Sequence, residues 1–351
     1  MGIGVAILVD GKADDALVPA AVEVTERVGE ATVYRLRYAI DIDDSDLPML
    51  LEDRLGPGSD LAVVASVAGA NRVLARGPVT GQQIHLAHGG TGSWLEVIGS
   101  DRSVEMDREV RAQVWDDVTA SDVVRTVAAR YGLEVDAGET EPRHVEAKHS
   151  LVQRDTDLRF VRRLARRCGF LFWIDDVDGV ETAHFRRPAL DGEGAARLVI
   201  NRAGATVDAL DIGWDVERPT SAVGAQLDLG DKNDIEGAVA TSPLTALGAE
   251  PLAAIAAGTR TVQIVAPVDD AGDLKGRGEG ALIDAGWFIR ASCSTTAHRL
   301  KELVHAHSLV EVQGAGTRHS GTYYVGGVRH VVDDVAHVME LDLYRNAWGV
   351  G

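Results

Sequence analysis

The chain has 351 residues, of which 54 are acidic and 35 basic, for a formal net charge of −19 at pH 7. Such a surface repels phosphate backbones and anionic headgroups, which excludes nucleic acid and the membrane surface as partners over most of its area. Hydrophobic residues at 45% and charged residues at 25% are ordinary for globular domains, and the length allows two or three cores.

Residues 1–105 read as strands. Val5–Val9, Ala21–Val28 and Ala31–Ile40 read as strand runs, Asp10-Gly11 following the first and Gly29-Glu30 making a hairpin-type turn between the other two. Leu47, Leu50, Leu51 and Leu55 predict a short helix capped by Ser45, ended by Gly56-Pro57-Gly58. Leu61–Ala68, Arg72–Gly77, Gln82–Ala87 and Trp94–Gly99 follow as further strands. Several short strands at regular spacing predict a small antiparallel barrel or sandwich.

The pattern changes near Asp107. Thr119 to Asp122 caps a predicted helix with Val123, Val124, Val127 and Ala128 on one side, ended by Gly132, and a loop covers Ala137–Lys148. Asp155 or Thr156 then caps a second helix whose apolar residues Leu158, Val161, Leu164, Ala165 and Cys168 share one face. Its other face carries Arg159, Arg162, Arg163, Arg166 and Arg167. Gly169 stops the helix, Phe170–Ile174 reads as a buried strand, and a hairpin turns at Asp178-Gly179.

Beyond Leu198 strands return at Thr206–Val216, Ser221–Leu229, Glu236–Ala240 and Thr261–Ala266. Thr241–Gly258 reads as an irregular loop, and the glycine-rich Asp269–Gly280 as a mobile one. Ala281–Arg290 and Ser294–His307 are predicted helices, the second with Leu300, Leu303 and Val304 on one face. Leu309–Val312, Gly321–His330 and Val338–Tyr344 close the chain as strands.

Two stretches carry a resemblance. Gln153, Asp155, Asp157, Phe160, Arg163, Leu164, Ala165, Gly169 and Phe172 follow the order of the signature segment of phage tail baseplate hub proteins, the late control protein D family. That family includes the hub half of type VI secretion spike proteins and the hubs of other contractile injection systems. Gly316, Ser320, Gly321, Tyr323, Val325, His330, Arg345 and Asn346 resemble its closing strands. Arg166 and Arg167 depart from it, standing where many relatives carry acidic residues.

The resemblance implies a mainly β fold with an α+β insertion: two small antiparallel β-barrels flanking a mixed α/β middle domain. The boundaries expected here are 1–105, 106–195 and 196–351, with a helical or loop insertion at about 241–308. It further implies a homotrimer that adapts a sixfold tail tube to a threefold spike. The partners would be the spike protein, the tail-tube protein and baseplate wedge or adaptor proteins. The spike is expected on a separate polypeptide, since this chain stops soon after Arg345-Asn346. Arg162, Arg166 and Arg167 are candidate interface residues, and Arg163 is expected to brace its own domain.

No catalytic, cofactor-binding or metal constellation stands out. There is no G-x-S-x-G elbow and no G-x-x-x-x-G-K-[ST] loop, and Gly314-Ala315-Gly316 joins strands rather than opening a helix. His298 and His305 fall two turns apart on the predicted helix, too far for one metal, and His319 and His330 could meet across a ladder. Cys168 and Cys293 provide no disulfide framework, so a reduced compartment is the simpler home. With no signal-peptide pattern and no run near ~20 apolar residues, synthesis and folding in the cytoplasm before assembly into a particle are expected. The expectation is a structural protein; the competing classes are a tail-associated cell-wall hydrolase and a generic β-rich binding module.

Overall fold

The computed structural model describes residues 4–41, 47–141, 143–144, 151–177, 179–227, 234–265, 268 and 271–349. Strands dominate it. The first β-rich part contains β1 (Val5–Val9), β2 (Ala21–Arg27), β3 (Val33–Ala39), β4 (Asp60–Val67), β5 (Ala70–His85) and β6 (Trp94–Ser100). The middle contains β7 (Val110–Trp115), α1 (Ala120–Ala129), β8 (Glu134–Ala137), β9 (Leu151–Thr156), α2 (Asp157–Cys168), β10 (Leu171–Val177) and β11 (Val180–Arg186). The last part contains β12 (Ala196–Val199), β13 (Leu210–Trp214), α3 (Ala271–Gly286), β14 (Ile289–Thr296), β15 (Leu309–Gln313), β16 (Gly321–Val332) and β17 (His337–Arg345).

The two β-rich parts repeat one plan. In the first, neighbouring strands run in the order β2-β3-β6-β5-β4-β1; in the last, β13-β14-β17-β16-β15-β12. Chain order maps one onto the other without permutation. The first five strands of each are antiparallel neighbours throughout. Even the irregularity recurs: the β5–β6 register slips between Val79 and Gly81, and the β16–β17 register between Val325 and Gly327. A bulge at the same place in both long strands bends each of them. Counting from it, Asp60↔Pro78 to Val63↔Ala75 correspond to Leu309↔Tyr324 to Val312↔Gly321, pair by pair. The sixth strand differs, since β1 runs antiparallel to β4 while β12 runs parallel to β15.

The halves are stitched by β2 and β16, which pair antiparallel from Val22↔Val332 to Arg27↔Gly327. One thirteen-stranded sheet therefore runs through both, and their buried side chains, from Ile7 to Leu343, form a single cluster. Buried residues from Met106 to Phe185 form a separate cluster.

Several expectations need correction. Gly272, Gly276, Gly278 and Gly280 lie within the α3 helix, although their segment reads as a loop. Tertiary contact overrides glycine's poor propensity there. A Cβ at Gly280 would meet Gly169 backbone at 3.0 Å, and one at Gly278 would meet Val239 Cγ2 at 2.8 Å. Ile289–Thr296 is a strand, with Ile289, Ala291, Cys293 and Thr295 buried in alternation; only Ala297–Leu300 makes a helical turn after it. Leu303 and Val304 are buried from coil. The helix expected over Ser45–Leu55 is two 3-10 turns, Pro48–Leu51 and Asp53–Leu55, and Ser45 falls outside the described residues, as does Asp178. Arg72–Gly77 and Gln82–Ala87 are not two strands but parts of the single β5.

Candidate functional site

The signature residues gather around one carboxylate. Asp157 opens α2 and is completely buried. It accepts hydrogen bonds from Gln153 Nε2 at 2.7 Å, Tyr131 OH at 2.9 Å and Arg130 Nη1 at 3.2 Å, with Arg111 Nε also 3.2 Å away. Burying a carboxylate without hydrogen-bond donors costs several kcal/mol, and this set of donors offsets that cost. Gln153 Oε1 faces Trp115 Nε1 at 3.4 Å, and Trp115 stacks on Phe160 at 6.2 Å. Thr156 is the N-cap, accepting from Arg159 N–H at 3.4 Å, and its hydroxyl donates to Asp107. Phe160, Leu164 and Phe172 are buried in the middle cluster. Gly169 caps α2 at φ +66, where a Cβ would strike Ile283 Cδ1 at 2.7 Å.

The arginine stripe divides. Arg163 pairs with Asp155 and lies 5.1 Å from the Phe160 ring, within its own domain. Arg167 holds buried Asp273 of α3 at 2.8 Å, and Arg277 holds the same carboxylate at 3.1 Å. Arg162 is half-buried; burial lowers its pKa against the opposing pull of Asp101 and Asp107. Arg166 is exposed and makes no ion pair among the described residues. Thus Arg162, Arg163 and Arg167 all lie beside carboxylates of this chain.

The closing residues form a second knot. Arg345 is fully buried yet pairs with no carboxylate among the described residues. Its guanidinium donates to Leu247 O at 2.8 and 3.1 Å, to Ser320 O at 3.0 Å and to Gly349 O at 2.5 Å, and sits 5.3 Å from the Tyr323 ring. Asn346 accepts from Leu247 N–H at 2.8 Å and donates to Thr245 O at 2.9 Å. Together they fasten the 241–251 segment to the end of β17. Gly321, at φ +127, leaves room for this, since its Cβ would stand 2.7 Å from Arg345 Nη2. Gly316, at φ +78, opens a single helical turn, Gly316–His319, where the sequence read a plain join between strands. Buried Tyr323 donates to His319 O at 2.8 Å.

His330 belongs elsewhere, at the β2–β16 stitch. Its Nδ1 lies 2.9 Å from His337 Nε2 and its Nε2 3.6 Å from Glu26 Oε1. Glu26 also contacts His305 Nδ1 at 3.0 Å and accepts from Ala306 N–H at 3.1 Å. Burial alone would raise the Glu26 carboxyl, but the charge and hydrogen bonds of His305 and His330 outweigh it and bring it down to about 2. Burial would lower His305, and Glu26 outweighs that and raises it. Burial brings His337 down to about 4, reinforced by its histidine neighbours. Glu26, His305 and His330 place three donor atoms within 4.8 Å, the one such group among the described residues. Glu26 and His305 already satisfy each other there. The sequence reading missed this cluster, because it placed His305 on a helix and had no reason to set Glu26 beside it; His330 meets His337, not His319.

Nearby, Trp173 is stacked between His184 at 4.6 Å and His307 at 3.9 Å, joining the middle part to the last. A cavity of about 590 Å³ opens beside them, lined by Arg72, Arg76, Asp101, Asp175 and Glu181 among others. No helix among the described residues is long and apolar enough to cross a membrane.

The fold is shared with a class of solved structures, β-rich tail proteins. The chain is similar over 98% of its length to a tail protein from Neisseria meningitidis, with a TM-score of 0.70, 15% identity and 97% of that chain covered. It is similar to the 43 kDa tail protein of prophage MuSo2 from Shewanella oneidensis, with a TM-score of 0.65 and 15% identity, covering 99% of each chain. A component of the E. coli type VI secretion system, itself structurally similar to T4 bacteriophage tail proteins, matches with a TM-score of 0.61 and 15% identity, over 97% of this chain and 76% of that one. Within the class, residues 81–211 match the family model of the phage tail baseplate hub (GPD), the family the signature segment resembles. No curated protein matches the chain in sequence.

Proposed function

We propose that this protein is the hub of a contractile tail baseplate, in a phage or a phage-like injection device. It works as a homotrimer that adapts a sixfold tail tube to a threefold spike. The observation that carries this reading is the duplication: one chain presents the same strand order and the same bulge twice. Three such chains around an axis offer six similar units to a tube and three identical faces to a spike. Residues 1–105 and 196–351 are the two similar β units in this reading, and 106–195 is the domain between them. The match of residues 81–211 to the hub family supports it. Its action is assembly rather than catalysis, with a spike protein, a tail-tube protein and baseplate wedge or adaptor proteins as partners, and the cytoplasm as the place where the particle is put together.

Light scattering on the purified chain gives three times the chain mass in this reading, and class averages of single particles show six lobes in alternating pairs. A monomer at every concentration, or a closed dimer, overturns it.

A further inference from the structure

Glu26 lies on β2 opposite Val328, and His330 lies on β16 opposite Val24, so the two are diagonal neighbours where the β-rich parts are joined. His305 comes to them from the coil before β15. Glu26 Oε1 stands 3.0 Å from His305 Nδ1 and 3.6 Å from His330 Nε2.

His330 is fully buried, and its Nε2 makes no hydrogen bond among the described residues. A buried polar atom in that condition calls for an ion or a water. Its other nitrogen, Nδ1, lies 2.9 Å from His337 Nε2. With Nδ1–H donated to His337, the Nε2 lone pair faces the Glu26 carboxylate, acceptor against acceptor. A cation between them turns that opposition into attraction.

We propose that Glu26 Oε1, His305 Nδ1 and His330 Nε2 bind one divalent transition-metal ion of the zinc class, tying the first β-rich part to the last. Zinc bonds of about 2.0–2.1 Å set tetrahedral donor atoms about 3.3 Å apart. The observed 3.0 and 3.6 Å bracket that edge, and the donor atoms of all three residues lie within 4.8 Å of one another. Two imidazoles and one carboxylate suit zinc, cobalt or nickel, whereas magnesium and calcium take oxygen ligands. Supports for the ligands are present as well. His337 accepts from His330 Nδ1 and leaves Nε2 to the metal, Ala306 N–H holds Glu26 Oε2 at 3.1 Å, and Ser308 Oγ holds the His305 carbonyl at 2.6 Å. Glu26 and His305 both line the cavity of about 590 Å³, which gives the ion a way in and a water the fourth position. In the metal-free chain Glu26 and His305 bond each other, and the ion takes the place of the proton they share. The site is made within a single chain, so it stands apart from the hub reading.

The test is cobalt(II) titration of the full chain after dialysis against a chelator, read by visible absorption. Tetrahedral cobalt absorbs far more strongly than the hydrated ion, so the signal reports an enclosed site rather than loose surface binding. The expected result is saturation at one cobalt per chain, loss of the bands when zinc is added, and a higher melting temperature in zinc than in chelator. Glu26→Gln and His305→Gln, with folding checked by circular dichroism, should abolish the bands. His337→Phe keeps all three ligands and should weaken binding about 10–100-fold. His298→Ala, at an exposed histidine outside the set, should change nothing. Weak absorption without saturation in the unmutated chain overturns the proposal without recourse to any variant. So does a wild-type titration by folded Glu26→Gln and His305→Gln.

Discussion

The two β-rich parts of this protein share a strand plan but differ in what covers their edges. At β2 the edge is filled by β16, and the facing positions are apolar, buried and crossed by the Glu26–His305–His330 network. At the end of β5 Ile84 and Leu86 are exposed, and on β13 Trp214 is exposed while Leu210 and Ile212 are half-buried against the core. The same backbone plan therefore serves a filled edge and a bare one, while the side chains differ. A joint made within one chain can hold buried histidines and a carboxylate, because its partner is always present.

The sharpest way to break this comparison is to put a charge at matched positions. Val24→Asp, in the filled joint, should destabilise the fold by about 3–5 kcal/mol, since an unpaired carboxylate would be buried. Ile84→Asp, at an exposed site on the bare end of β5, should stay within about 1 kcal/mol of the wild type in urea unfolding of the separated chain. Equal destabilisation at Val24 and Ile84 would show that the edges are not free.

Acidity sharpens it next. Glu26 has its pKa lowered to about 2 from an ordinary 4.5, so its contribution is present above 4.5 and lost as pH falls toward 2. His305 has its pKa raised above an ordinary 6.5, so its contribution is complete below 6.5 and fades as pH rises through the raised value. The stability lost by Glu26→Gln should accordingly be greatest between pH 4.5 and 6.5 and shrink on both sides, measured by unfolding at a series of pH values. A flat difference would mean that the pair does not titrate. Separately, His337, brought down to about 4, loses its contribution as pH falls from 6.5 toward 4, steepening acid unfolding in wild type and variant alike.

The smallest effect belongs to the rim. Arg329 reaches across the filled joint to Glu23 at 2.6 Å, with both side chains about a third exposed. Exposed pairs contribute about 0–1 kcal/mol, so Arg329→Gln should shift unfolding by no more than that and by less in high salt. A larger loss would move the energy of the joint from its apolar centre to its edge.

Much of the middle part was legible in the sequence because its signals are local. Thr119 as a cap, the apolar stripe of α2, Gly169 as its stop and Phe172 as a buried strand residue each depend on neighbours within a few positions and stand as read, and of the two cap candidates Asp155 and Thr156 it is Thr156 that caps. The resemblance carried by Gln153, Asp157 and Arg345 was legible too, but not its reason. Asp157 draws its donors from β7, the turn after α1 and β9, and Arg345 grips a carbonyl nearly a hundred residues away. Helix α3 was misread because glycine weighs against helix locally, while only the folded chain shows Gly169 and Val239 waiting for a face without side chains. The duplication was hidden for a related reason. Strand order and register are properties of pairs, and apolar residues can be exchanged along them without altering either. Alternation along each strand determined which residues would face inward, as at Val22, Val24, Leu210 and Ile212. Only the tertiary structure decided that β2 would meet β16 while β13 would end the sheet, because alternation along a strand says nothing of which strand will lie beside it.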